Sequence, residues 1–173
     1  MRANIASGIL AACLAIALVP SVPAATPGHV APVLVEVQPN PEGLDRGAEW
    51  FELYNPTPVN LALDGYYVTD HDACTGQPTY SLDGVVLPAF GRAAFTLPNG
   101  TSCMVLVNSA DELALVGPTG HVLQEVAWGG VGRDAPAVGD GEAVAACVNG
   151  LGLHTTWSIA APTKGAPNAA CGA

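Results

Sequence analysis

From residue 33 onward the apolar residues of this chain fall in short bursts separated by Gly, Pro, Asn and Asp, and no stretch holds a 3.6-residue period for three turns. A helix needs that period to keep one face buried, whereas a strand needs only alternation over a few residues. The pattern predicts an all-β chain. Strands are expected at 33–37, 49–55, 66–69, 92–97, 112–116, 122–128 and 143–148 and near Trp157, roughly seven to nine in all. An Asp64-Gly65 turn precedes the third. Gly117-Pro118-Thr119-Gly120 joins 112–116 to 122–128 as a hairpin, because Gly and Pro supply turn dihedrals and stop the ladder. Within 49–55, alternation puts Phe51 and Leu53 on one face and Trp50, Glu52 and Tyr54 on the other. Short strands at such even spacing predict a two-sheet β-sandwich of immunoglobulin type.

Before that pattern begins, Met1, Arg2 and Asn4 lead into an apolar run that ends near Val19, followed by Pro20, Val22 and Ala24. This is the tripartite layout of a secretory signal peptide. The run is shorter than the about 20 apolar residues a membrane span needs, and no later segment qualifies. The expected organisation is a signal peptide over 1–24 and one domain over 25–173, its tail from 161 irregular. The product is then secreted, extracellular or at the cell surface, without a transmembrane span. Leu10-Ala11-Ala12-Cys13 resembles a lipobox, but the apolar run continues past Cys13 where a lipobox cysteine closes it, so cleavage after Ala24 or Ala25 is the expectation.

Removing the signal leaves Cys74, Cys103, Cys147 and Cys171, an even set that in an exported chain reads as disulfides. Their spacings of 29, 44 and 24 lack the closely paired ligands of a zinc knuckle. Of the three connectivities, Cys74–Cys103 with Cys147–Cys171 pairs neighbours in sequence and is favoured; each bridge stabilises by about 3–4 kcal/mol for loops of this length. The formal charge is −10, from 15 acidic and five basic residues. Such a surface repels phosphate backbones, so nucleic acid is not an expected direct partner.

Several segments, in order, resemble the lamin-tail domain, an immunoglobulin-like β-sandwich. Glu49-Trp50-Phe51-Glu52-Leu53-Tyr54-Asn55-Pro56 is similar to the family's E-W-[IV]-E-[LI]-Y-N-P strand, and Leu61, Leu63, Gly65, Tyr67, Thr69 and Asp70 resemble its next conserved stretch. Leu87-Pro88 with Gly91 resembles the L-P-x-G before the following strand, and Asn108-Ser109 with Asp111, Leu113 and Leu115 resembles N-S-G-D-x-L-x-L. Trp157 and the run Ala161-Pro162-Thr163-Lys164-Gly165-Ala166-Pro167-Asn168 look like the family's close. The resemblance spans about residues 33–168 and departs from the family around 71–83, at Lys164, where Pro is common, and in the expected disulfides. It implies a sandwich fold, and the family's occurrence fused to exported enzymes implies, as the alternative function, an accessory role beside a secreted hydrolase or nuclease.

The residues themselves carry no recognisable catalytic set. Glu49 and Glu52, three apart on a strand, point to opposite faces and cannot flank one glycosidic bond. His29, His71, His121 and His154 lie in four separate contexts, no G-x-S-x-G elbow is present, and Gly130–Ala135 fits a dinucleotide fingerprint only formally, since Pro136 and Gly139 follow where a helix must start. Glu52, an acid in mid-strand, is expected either to face solvent or to accept backbone N–H bonds from a neighbouring loop. Asp64, Asp70 and Asp72 form the best calcium candidate, against the bland alternative of a solvated acidic loop, and lack the EF-hand's closing glutamate. Asn99-Gly100-Thr101 is a glycosylation sequon. The leading expectation is a non-enzymatic extracellular binding or adhesion module for a protein or cell-envelope component, with Trp50 and Tyr54 as candidate contacts if their face is exposed and core or edge packing as the equal alternative for both. A calcium-stabilised surface protein is the further alternative.

Overall fold

The computed structural model describes residues 31–45, 47–70, 79–98, 104–130, 133–148 and 154–168. Among them there is no helix, and the all-β expectation holds. The strands are β1 (Val33–Gln38), β2 (Trp50–Tyr54), β3 (Leu61–Ala62), β4 (Tyr67–Thr69), β5 (Thr79–Ser81), β6 (Val86–Leu87), β7 (Arg92–Thr96), β8 (Asp111–Val116), β9 (Val122–Trp128), β10 (Ala143–Val148) and β11 (His154–Ala160). The eleven exceed the expected seven to nine because β3, β5 and β6 are only two or three residues long, too short to show alternation.

They form a β-sandwich. A five-stranded sheet runs β11-β10-β1-β2-β7, a four-stranded sheet runs β5-β4-β8-β9, and β3 pairs with β6 beside them; every pairing of named strands is antiparallel. Register carries one apolar row across the larger sheet, Ile159–Val144–Val37–Phe51–Phe95. Tyr80 of β5 meets this row, its ring 5.4 Å from Phe51 and nearly perpendicular to it, while Phe51 stacks on Phe95 at 5.2 Å. Leu34, Leu53, Leu113, Leu115, Val126 and Trp128 extend the same core. Burying a side chain of this size stabilises by about 1.5–3 kcal/mol.

A sheet with only one covered face should alternate buried and exposed residues. β1 and β2 do not: from Leu34 to Leu53 their side chains are buried on both faces. The second cover is the backbone of 161–168, which crosses the outer face. At β1 a bulge shifts the register between Leu34 and Glu36, and two side-chain amides complete the ladder it interrupts. Gln124 of β9 pairs both ways with Leu34, accepting its N–H at 2.9 Å and donating to its carbonyl at 2.7 Å. Asn168 donates to the carbonyls of Val35 and Ala146, both at 2.7 Å. No helix among the described residues is long and apolar enough to cross a membrane.

Candidate functional site

On the outer face of the larger sheet, one position over from the apolar row, register sets Ser158–Ala145–Glu36–Glu52–Ala94 side by side. Two carboxylates are thus cross-strand neighbours, both fully buried, with small residues flanking them where the 161–168 strap must approach. Thr163 donates its N–H to Glu36 Oε1 at 2.9 Å and its hydroxyl to Oε2 at 3.0 Å. The Gly165 N–H donates to Glu52 Oε2, and Arg92 reaches Oε1 at 3.2 Å. Gly165 has φ +82, a conformation that glycine adopts without strain and that turns its N–H down onto the sheet. Burial, with the neighbouring Glu52 carboxylate as a smaller cause, holds the Glu36 carboxyl above its ordinary value, against the lowering effect of the Thr163 donors. Chemically this is a lock: the carboxylates face a strap of the same chain and are spent on holding it.

The strap decides the fate of several expected residues. Glu52 accepts a loop N–H, the second of its two structural alternatives. Trp50 and Tyr54 do share the outer face, but it is not an exposed contact surface. Trp50 is 3% exposed, donates its indole N–H to Gln38 Oε1 at 2.6 Å and lies 5.3 Å beneath the Lys164 ammonium. Tyr54 is half-buried under the Arg92 guanidinium at 4.6 Å. Of the remaining motif residues, Glu49 is buried and accepts the Leu106 N–H at 3.3 Å, Trp157 belongs to the core, Asn168 is buried and Pro167 is exposed. The irregular tail is held by Thr163, Gly165 and Asn168; Cys171, expected to hold it, lies outside the described residues.

Cys74 and Cys103 also lie outside them, while Cys147 is half-buried on β10. Of the calcium candidates, Asp72 lies outside; Asp64 and Asp70 flank opposite ends of β4 and are not brought together. Asp70 is buried. Asp64 is engaged in a turn clasp, its Oδ1 accepting the Gly84 N–H at 2.8 Å while Asp83 Oδ1 accepts the Gly65 N–H at 2.7 Å. The Gly65 N–H, with the Ser81 hydroxyl, holds the Asp83 carboxyl below its ordinary range. His121 is exposed in the 117–121 hairpin.

The second arrangement lies at one end of the sandwich, and Asn55 organises it. Its amide donates to the carbonyls of Val59, Leu87 and Pro88 at 2.7, 3.2 and 2.8 Å, and its Oδ1 accepts the N–H and hydroxyl of Thr57 at 3.0 and 2.7 Å. Loop 55–60 is thereby fastened to turn 88–91. Phe90 donates its N–H to Thr57 O, and Ala89 to Asn60 Oδ1. Phe90 has φ 53, the one described non-glycine residue in the left-handed region; it is 60% exposed, as is Val59, at 62%, on the loop to which its turn is fastened. A bulky residue held in that conformation while mostly exposed gains little from burial, and strained residues of this kind concentrate at functional sites.

Contacts continue across this end: β3 pairs with β6, Leu63 bonds to Val85, and Gly65 packs on Pro118 of the 117–121 hairpin. Among the described residues, five of the seven exposed large apolar side chains, Val59, Val86, Phe90, Val122 and Leu123, belong here. Residues 55–62 and 85–91 contain no charged side chain. The opposite end, where β1 leaves and β2 enters, gathers Glu42, Asp45, Asp140 and Glu142, tied by Gly141 to Asn40 and by Asn108 to Asp45, with Leu44 and Val107 exposed among them.

Sequence reasoning missed Glu36, Gln124, Thr163 as a donor and Phe90. Glu36 in an otherwise apolar run was the available signal; nothing in the sequence marked Phe90. No family model matches the chain, and no curated protein matches it.

Proposed function

We propose that this chain is a non-catalytic binding module, exported from the cell, that uses the apolar end formed by the uncharged segments 55–62 and 85–91 as a contact surface for a cell-envelope component or protein. The observation that carries this reading is Phe90, kept exposed in a strained conformation between turns locked by Asn55. The buried carboxylates support it from the other side, because Glu36 and Glu52 are committed to the strap.

We read the fold as a lamin-tail-like sandwich of immunoglobulin type. In support, the two most distinctive segments of the resemblance meet in space: Glu52 of the E-W-F-E-L-Y-N-P strand takes the N–H of Gly165 in the closing run, and Asn168 of that run caps β1 and β10. Disulfides among Cys74, Cys103, Cys147 and Cys171 belong to the same proposal.

The test is co-sedimentation of the oxidised exported form, residues 25–173, with envelopes of its own organism, with calcium or with chelator. Saturable binding that Phe90→Gly abolishes is the expected result. Binding indifferent to Phe90 would remove this end from the proposal, and absence of binding would remove the envelope as partner. Loss in chelator alone would assign the contact to a metal-dependent site instead.

A further inference from the structure

We infer that the apolar end docks on an uncharged lipid surface, with Phe90 and Val59 entering the boundary between headgroups and acyl chains; the inference rests on the reading of that end as a contact surface. The first argument is the state of its backbone. A segment can leave water cheaply only if its polar groups already have partners. In turn 88–91, Pro88 has no N–H, and those of Ala89, Phe90 and Gly91 donate to Asn60 Oδ1, Thr57 O and Pro88 O. The carbonyls of Thr57, Val59, Leu87, Pro88 and Gly91 all accept bonds from within the same two loops. Pro56 and Pro58 remove two more donors from loop 55–60. The N–H groups of turn 88–91 and five carbonyls of the two loops thus have partners before anything binds.

Charge supplies the second argument. The two loops carry no cation to recognise phosphate and no anion to resist immersion. Asp64 and Asp83, the acids at this end, are each bonded to the backbone of the other's turn, while Glu42, Asp45, Asp140 and Glu142 stand at the far end. A molecule of charge −10 is repelled by anionic lipid and is indifferent to a zwitterionic surface, with its acidic pole turned away. A protein partner is less favoured because protein interfaces draw on Tyr, Trp and Arg anchors with directed hydrogen bonds. This end offers Val, Leu, Phe and Pro on separate turns, with the N–H groups of turn 88–91 already bonded within the two loops.

Flotation with phosphatidylcholine vesicles tests the inference, using wild type, Phe90→Gly and Val59→Asn. Wild type should float with the vesicles. Each substitution should lower the partition coefficient about tenfold, the scale of one buried apolar side chain, and vesicles doped with an anionic lipid should bind more weakly. Phe90→Gly controls for folding, since glycine suits the backbone there. A Phe90→Trp reporter should shift its emission to the blue on vesicles, because Trp50, Trp128 and Trp157 are buried already. No flotation, or equal flotation of wild type and Phe90→Gly, overturns the lipid inference. If vesicles fail while envelope binding still depends on Phe90, the partner is a protein and the contact-surface reading survives. If envelope binding is also indifferent to Phe90, both readings fall.

Discussion

For an L-residue the left-handed conformation of Phe90 crowds its β-carbon against the following carbonyl, at about 1–2 kcal/mol, which glycine avoids. Glycine is freer in the unfolded chain, and that offsets part of the gain. Phe90→Gly should therefore leave the denaturation midpoint unchanged or raise stability by about 1 kcal/mol; a clear loss would mean that the ring packs in the folded state. Glu36 makes the opposite kind of residue-scale statement, about pH. Its folded carboxyl lies above the ordinary 4.5, burial being the largest cause. The protonated form is thus favoured in the folded state. Its contribution is fully present below 4.5 and is lost as pH rises through the folded value. Urea titrations of wild type and Glu36→Gln across that window should show wild type losing ground as pH rises. The reverse slope would mean that the Thr163 donors outweigh desolvation.

The 161–168 strap has no regular ladder of its own, so its attachment rests on a few directed bonds. Its weak point is geometric at Gly165. A β-carbon there meets nothing within 4 Å, yet φ is +82, so Gly165→Ala should cost about 1–2 kcal/mol through backbone strain alone. Amide exchange should report it locally, with the Thr163 and Gly165 N–H groups losing protection before those of β8 and β9. Exchange that accelerates evenly across both sheets would show that the strap and sandwich unfold as one unit. Glu52 sets a larger effect. Glu52→Ala strands the Arg92 guanidinium, whose side chain is 14% exposed, and removing one partner of a buried pair costs about 3–5 kcal/mol. Glu52→Gln keeps an acceptor for Gly165 and should cost less. Equal losses in the two variants, measured by denaturant unfolding, would place the energy in packing and not in the charge.

Across the whole molecule, local features were legible and distant covers were not. The 122–128 and 143–148 strands stand at their expected bounds because glycines close to both ends, Gly120 and Gly129 for the first and Gly141 and Gly150 for the second, mark where each can begin and stop. The Asn55-Pro56 strand end was legible too, but not that Asn55 would bind carbonyls 32 and 33 residues away. Alternation in β2 suggested a wet face for Trp50 and Tyr54, and the strap that dries it is fixed 127 residues beyond Glu36; no local pattern carries such a contact. The same distance effect hides the molecule's polarity. All 15 acids precede residue 143, and folding then places Glu42, Asp45, Asp140 and Glu142 together at one end while the other stays free of charge along 55–62 and 85–91. Salt should separate the consequences. Mutual repulsion among exposed acids weakens as the screening length shrinks from about 30 Å at 0.01 M to about 8 Å at 0.15 M, so the melting temperature should rise over that range. Adhesion through the apolar end involves no counter-charge and should persist or strengthen over the same range. A contact made through the acidic end to a basic partner would instead weaken steeply, so a binding curve that collapses with salt would move the contact surface to the opposite pole of the molecule.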